Sequence, residues 1–187
     1  MRLAAPRLLR AALAALALAG AAPAAAELRT AATASFVSHH AVEVAQPVAQ
    51  VWRAVLRPQE WWTHTWSGDP ANLSLEPRAG GCFCERIPVS DSWQVGSAEH
   101  ARVVLVMPDR TLRLSGGLGP LQGEAVAATL TITLEPVAAG GTRIGWTYIV
   151  AGAGAGDLTG LGPAVDAVQG ELLASLAAHL ERAPAPR

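Results

Sequence analysis

PVAQVWRAVLRPQEWWTHTW, residues Pro47 to Trp66, decides the fold. Val48, Val51, Trp52 and Val55 recur at helical spacing with Leu56 beside them, so the first half reads as a short amphipathic helix. Pro47 suits its first turn, where an amide N–H would be unpaired anyway. Pro58 closes it, because the residue before a proline avoids the α region. A dense aromatic patch follows. Four of the chain's six tryptophans, Trp52, Trp61, Trp62 and Trp66, lie in this one stretch.

Working outward, the flanks read as strands. Ser35–Ala45 precedes the helix, with Phe36, Val42 and Val44 as its apolar members. After it, Asn72–Glu76, Cys82–Ile87, Glu99–Met107 and Leu112–Ser115 are short strands, separated by turns at Ser67-Gly68-Asp69-Pro70 and Arg78-Ala79-Gly80-Gly81. Pro88–Ala98, carrying Trp93, reads as an irregular connection. Ala125–Glu135 has the cleanest alternation, Val126, Leu130, Ile132 and Leu134 against Thr129, Thr131 and Thr133. Thr142–Val150 sets Ile144, Trp146, Tyr148 and Val150 on one face. Such faces belong to an antiparallel sheet covered on one side. Gly152–Gly162 is glycine-rich and reads as a flexible gate. Pro163 then starts a final helix to Arg182, with Val165, Val168, Leu172, Leu176 and Leu180 as its apolar stripe. That stripe needs a surface, and the sheet supplies it, so the class is α+β.

The residues Val42-Glu43-Val44, Pro47, Val51-Trp52-Arg53-Ala54-Val55, Pro58, Trp61-Trp62 and Ala79-Gly80-Gly81-Cys82-Phe83-Cys84-Glu85 together resemble the SRPBCC superfamily, the START and birch-pollen-allergen-like proteins. Within it they are most similar to the branch named after a heat-shock-protein ATPase activator and polyketide cyclases. The likeness runs from about Ser35 to Glu181. It implies a helix-grip fold, a curved antiparallel β-sheet wrapped around a long C-terminal helix with an apolar cavity between them. The fold hosts binding proteins and enzymes alike. Catalytic residues of its cyclases find no counterpart here, so none is carried over.

Met1–Ala26 reads as a signal peptide: Arg2, Arg7 and Arg10, an alanine-rich apolar run, and Ala24-Ala25-Ala26 before Glu27. The run is shorter than the roughly 20 residues of a spanning helix. The organisation expected is a signal (1–26), a leader (27–34), a single SRPBCC-like domain (35–182) and a tail (183–187), with the product exported to the periplasm or secreted. The signal holds three of the fourteen basic residues, so eleven remain against fifteen acidic ones, and the chain has no lysine. No basic stripe exists for nucleic acid or an anionic membrane, and neither is expected as a partner once the signal is removed.

Chemistry-bearing residues are few. Cys82 and Cys84, two apart on a strand, share a face with Cα atoms about 6.6 Å apart. The reading taken is two small apolar side chains lining the cavity. A strained disulfide, a labile redox pair and a two-thiolate metal site are the alternatives. A hairpin placing Ile87 near Ala98 puts Cys82, Cys84, Ala101, Val103, Leu105 and Met107 on the cavity face, and Glu85 opposite His100 on the outer face as a charge contact. A one-residue slip reverses this. Adjacent His39 and His40 point to opposite faces and read as exposed strand residues. His64, within WWTHTW, is the polar group expected at the cavity mouth, and Asp69 follows it. No nucleophile elbow, metal motif or phosphate loop is present in the sequence.

The expected site is therefore a cavity lining: Trp61, Trp62, His64, Trp66, Cys82, Cys84, Val103, Leu105, Leu114, Leu130, Ile132, Trp146, Tyr148, Val168 and Leu172. No catalytic residue, cofactor or metal is assigned. The function expected is an exported protein that binds a hydrophobic small molecule, a non-catalytic carrier or sensor. The alternative is a cyclase, dehydratase or hydrolase acting on such a molecule in the same cavity.

Overall fold

The computed structural model describes residues 34–90, 93–138, 140–152 and 158–182. The expected signal (1–26), all but the last residue of the leader (27–33), residues 153–157 of the glycine-rich gate and the tail (183–187) lie outside the described residues. The elements are β1 (Ala34–Val44), α1 (Val48–Val55), β2 (Leu73–Leu75), β3 (Cys82–Pro88), β4 (Val95–Met107), β5 (Thr111–Ser115), β6 (Val126–Pro136), β7 (Thr142–Gly152) and α2 (Leu158–Arg182). The strands form one curved sheet in the order β1-β7-β6-β5-β4-β3-β2, every pairing antiparallel. Its concave face carries α2, the helix-grip arrangement.

The alternating strands bury the faces their periodicity announces. Leu112, Leu130, Ile144, Trp146, Tyr148 and Val150 lie inside, while Arg113 and Arg143 point out. α1 buries Val51, Trp52, Ala54 and Val55 and ends before Pro58. Trp61 then donates its indole N–H back to the carbonyl of Ala54 at 2.8 Å, which folds the aromatic patch over the helix end. α2 buries Leu172, Leu173, Leu176 and Leu180. Each fully buried leucine contributes about 1.5–3 kcal/mol of transfer free energy.

Two expectations about element ends are corrected. α2 begins at Leu158, not at Pro163, and Pro163 lies inside it. The proline is close to the helix N-terminus, where its missing N–H removes a single hydrogen bond, and the fully buried Leu158 anchors the added turn. Pro88–Ala98 is not irregular throughout: the β3–β4 hairpin continues outward to the pair Pro88↔Val95. Gly170 lets α2 approach β1, since a Cβ there would lie 3.2 Å from Cε1 of His40. His40 consequently faces α2 and its Nε2 lies 3.0 Å from Oδ1 of Asp166, whereas His39 is exposed and bonds Thr147 Oγ1 at 2.9 Å.

Candidate functional site

The register of β4 decides what faces inward. β3 and β4 pair as Phe83↔Ala101 and Cys84↔Glu99, so His100 is an extra residue, a β-bulge. A bulge breaks alternation, and His100 and Ala101 both turn inward and are buried. A second bulge follows at Val104: Val103 pairs Leu114, but Leu105 pairs Arg113. The expected face assignment is therefore reversed along β3. Phe83 and Glu85 point in, while Cys82 pairs Arg102, Cys84 pairs Glu99 and both cysteines sit half-buried on the outer face. Leu105 is likewise moved to the outer face with Arg113, and Val106 packs inward instead. Cys82 and Cys84 are joined as a disulfide with Cα atoms 5.4 Å apart, and the β3–β4 register shifts beside them, between Phe83 and Cys84. They are thus not a free pair lining the cavity.

Glu85 and His100 do pair, but inside the molecule. His100 Nε2 lies 2.8 Å from Glu85 Oε2, and the two side chains are 4% and 0% exposed. The Glu85 carboxylate also accepts the backbone N–H of Trp66 at 3.0 Å and that of Ser67. Burial by itself raises the pKa of Glu85. The hydrogen bonds from Ser67, Trp66 and His100 outweigh it and hold the carboxyl below its ordinary range. An ionised carboxylate only accepts, so the hydrogen between the two residues resides on His100 Nε2, and whenever the ring is neutral the lone pair is on Nδ1. Phe83 holds the ring in place at 5.1 Å between centroids, and Trp62 packs on Phe83 at 4.8 Å.

Above this pair lies a cavity of about 450 Å³ between the sheet and α2. Its walls are the segment Trp62–Trp66, His100, the short helical turn Gly119–Gly123 with Leu118 before it, and the α2 side chains Leu161, Val165, Val168, Gln169 and Leu172. The lining is overwhelmingly apolar, and the volume falls in the range of small-molecule sites. Tyr148 ties down one wall: its hydroxyl accepts the N–H of Leu118 at 2.8 Å and donates to the carbonyl of Gly116 at 3.1 Å. Gly116 itself is pressed on the bulge, since a Cβ there would lie 2.7 Å from the His100 carbonyl oxygen. Gln169 is buried on α2 and its Oε1 accepts the indole N–H of Trp146 at 2.8 Å. Because that indole can only donate, the amide nitrogen of Gln169 is left as a donor without a partner among the described residues.

Of the residues expected to line the cavity, the structure brings together Trp62, His64, Trp66, Val168 and Leu172. Trp61, Val103, Leu114, Leu130, Ile132, Trp146 and Tyr148 lie in the packed core beside it. His64 stands half-exposed at the mouth with Nε2 3.5 Å from Glu171 Oε2 on α2. Asp69 does not join it and caps the turn Pro70–Asn72 by accepting from Ala71 N–H. His100, Gln169 and the Leu118–Leu121 wall were missed. The available signals are a histidine beside the apolar run Val103–Met107 of its strand and a glutamine beside Val168 on the helix stripe. Among the described residues no group of three or more His, Cys, Asp or Glu could hold a metal, and no helix is long and apolar enough to cross a membrane.

The family described as "Polyketide cyclase / dehydrase and lipid transport" matches residues 35–181. No curated protein matches. Solved structures share the fold. A protein from Rhizobium leguminosarum is 22% identical, with 81% of this chain and 99% of that one covered at a TM-score of 0.55. A protein of unknown function from Staphylococcus aureus is 10% identical, with 80% and 95% covered at 0.60. Ara h 8.0201 is 12% identical, with 80% and 100% covered at 0.50. At these identities the likeness concerns the fold.

Proposed function

This chain belongs to the polyketide cyclase / dehydrase and lipid transport family of the SRPBCC superfamily, and we propose that it is an exported protein that takes one apolar small molecule into the cavity between sheet and α2. The observation that carries the reading is the cavity itself: about 450 Å³, walled by Trp62, Leu118, Leu121, Val168 and Leu172, with few polar groups. Export is supported by the signal-like residues 1–26 and by the Cys82–Cys84 disulfide, a bond that persists in oxidising compartments. A carrier or sensor needs nothing more than such a cavity. The alternative, an enzyme of the same cavity, is favoured by a specific feature a carrier does not require, the Glu85–His100 pair buried in its wall.

Binding is tested with the neutral fluorescent probe N-phenyl-1-naphthylamine. The wild-type protein should give a saturable rise in emission with one site per chain. Val168→Trp, which fills the cavity from α2, should weaken it at least about tenfold, roughly the loss of one good apolar contact set. Unweakened binding in a correctly folded Val168→Trp protein counts against the cavity. Export is tested by the intact mass of protein recovered from the periplasm or medium. A chain starting at Glu27 supports it, and a full-length cytosolic chain opposes it.

A further inference from the structure

We propose that His100, held by Glu85, is a general base facing the cavity, and that the ligand is an apolar carbonyl compound with an acidic hydrogen beside the carbonyl. The inference rests on the binding reading above and adds chemistry to it. Three observations carry it. First, His100 is the bulge residue of β4, and the bulge is what aims its ring at the cavity it lines. Second, Nε2 is committed to Glu85, whose carboxylate is itself fixed by the N–H groups of Trp66 and Ser67. Nδ1 has no hydrogen-bond partner among the described residues. Among the described residues the sealed and unpartnered side-chain atoms are Gln46 Oε1 and Gln50 Oε1, so Nδ1 is not sealed, and the cavity is what His100 lines. Third, Gln169 offers the same cavity a buried donor, its oxygen being taken by Trp146. An acceptor and a donor, each oriented by a buried partner within apolar walls, match a base and the stabiliser of an oxygen that gains charge.

The step balances without a co-reactant. The Nδ1 lone pair takes the proton from the carbon beside the carbonyl. The C–H electron pair becomes the carbon–carbon π bond of an enolate, and the carbonyl π pair moves onto oxygen, which accepts from Gln169 Nε2. Return of the proton from the imidazolium to a conjugated carbon of the same ligand completes an isomerisation. Glu85 does not touch the ligand. It is a positioning residue, fixing the tautomer and stabilising the imidazolium.

The test uses 5-nitrobenzisoxazole, an apolar probe of basic groups in dry sites. Removal of its C3 proton turns the C–H pair into the second π bond of a nitrile, breaks the N–O bond and leaves a coloured phenolate. The proton returns to water. The wild-type protein should turn it over with saturation. His100→Ala should lower kcat about 100-fold, the usual contribution of general base catalysis, and added imidazole should restore part of it. Glu85→Gln should lower kcat while KM changes by about twofold or less, because the substituting amide can donate to Nε2 and place the hydrogen on Nδ1. His39→Asn, on the outer face of β1, should change neither. Naphthylamine binding and the unfolding midpoint are measured on each variant. Normal probe binding with turnover unaffected in a folded His100→Ala protein, or unrescued by imidazole, overturns the base while leaving the binding reading intact. Absence of both probe binding and turnover in the wild type overturns both.

Discussion

The indole N–H of Trp146 reaches from the centre of β7 to Oε1 of Gln169 on α2, at 2.8 Å, with both side chains buried. One hydrogen bond thereby joins the sheet to the helix beside the cavity. Trp146→Phe keeps an aromatic ring but gives up part of the indole's volume and leaves a buried amide oxygen unpaired, the latter alone costing about 1–3 kcal/mol. Trp146→Ala adds the cavity and should cost about 3–5 kcal/mol. Denaturant unfolding checks both, and an unchanged midpoint for Trp146→Ala contradicts its place in the core.

Tyr148 is the chain's single tyrosine, and burial pushes its pKa up to about 12 despite the N–H donated by Leu118. A pKa raised in the folded state means stability that is complete below the unfolded value near 10 and lost as pH rises towards 12. Phenolate absorbance should therefore appear late, together with unfolding. Tyr148→Phe should lose that alkaline slope and cost about 1–3 kcal/mol at neutral pH, because the Leu118 N–H is left unpaired. Phenolate absorbance appearing near the ordinary tyrosine value in still-folded protein would contradict the buried hydroxyl.

Gly116 abuts backbone on the bulge, with a would-be Cβ 2.7 Å from His100 O and 2.8 Å from Ala101 Cα. Backbone at such a distance cannot rotate away. Gly116→Ala should cost about 1–3 kcal/mol and shift the ring of His100. Unfolding measurements and the histidine resonances in NMR report the two effects separately. A variant as stable as the wild type with unmoved resonances would show that the turn relaxes freely.

Asp166 on α2 accepts from Ser38 Oγ at 2.6 Å and pairs with His40 at 3.0 Å. The Ser38 hydrogen bond first, and His40 after it, hold its carboxyl below the ordinary value. A lowered folded pKa contributes stability above the unfolded carboxylate pKa and loses it as pH falls through the folded one. Asp166→Asn should flatten the acid limb of the stability profile. Coincident acid limbs for the two proteins would show that the link between β1 and α2 contributes nothing.

Much of this fold was legible because its signals are local. The alternation in Ala125–Glu135 and Thr142–Val150 names the inner face without reference to anything distant, and β6 and β7 match it residue for residue. Pro58 stops α1 through its own ring, and the Val165–Leu180 stripe marks the buried side of α2. The aromatic patch identified Trp62, His64 and Trp66 as neighbours because a short segment between fixed ends has few ways to run.

What the sequence alone determined, then, is the element order, the one-sided sheet and the helix that needs it, since periodicity and proline act over a few residues. Tertiary structure decided the site. Whether Cys82 and Cys84 or Phe83 and Glu85 face inward depends on the bulges at His100 and Val104, and each bulge flips every side chain beyond it. Alternation within one strand carries no record of where its partner inserts a residue. The meeting of His100, Glu85 and Gln169 comes from three elements brought together by pairing and packing, which no spacing along the chain encodes.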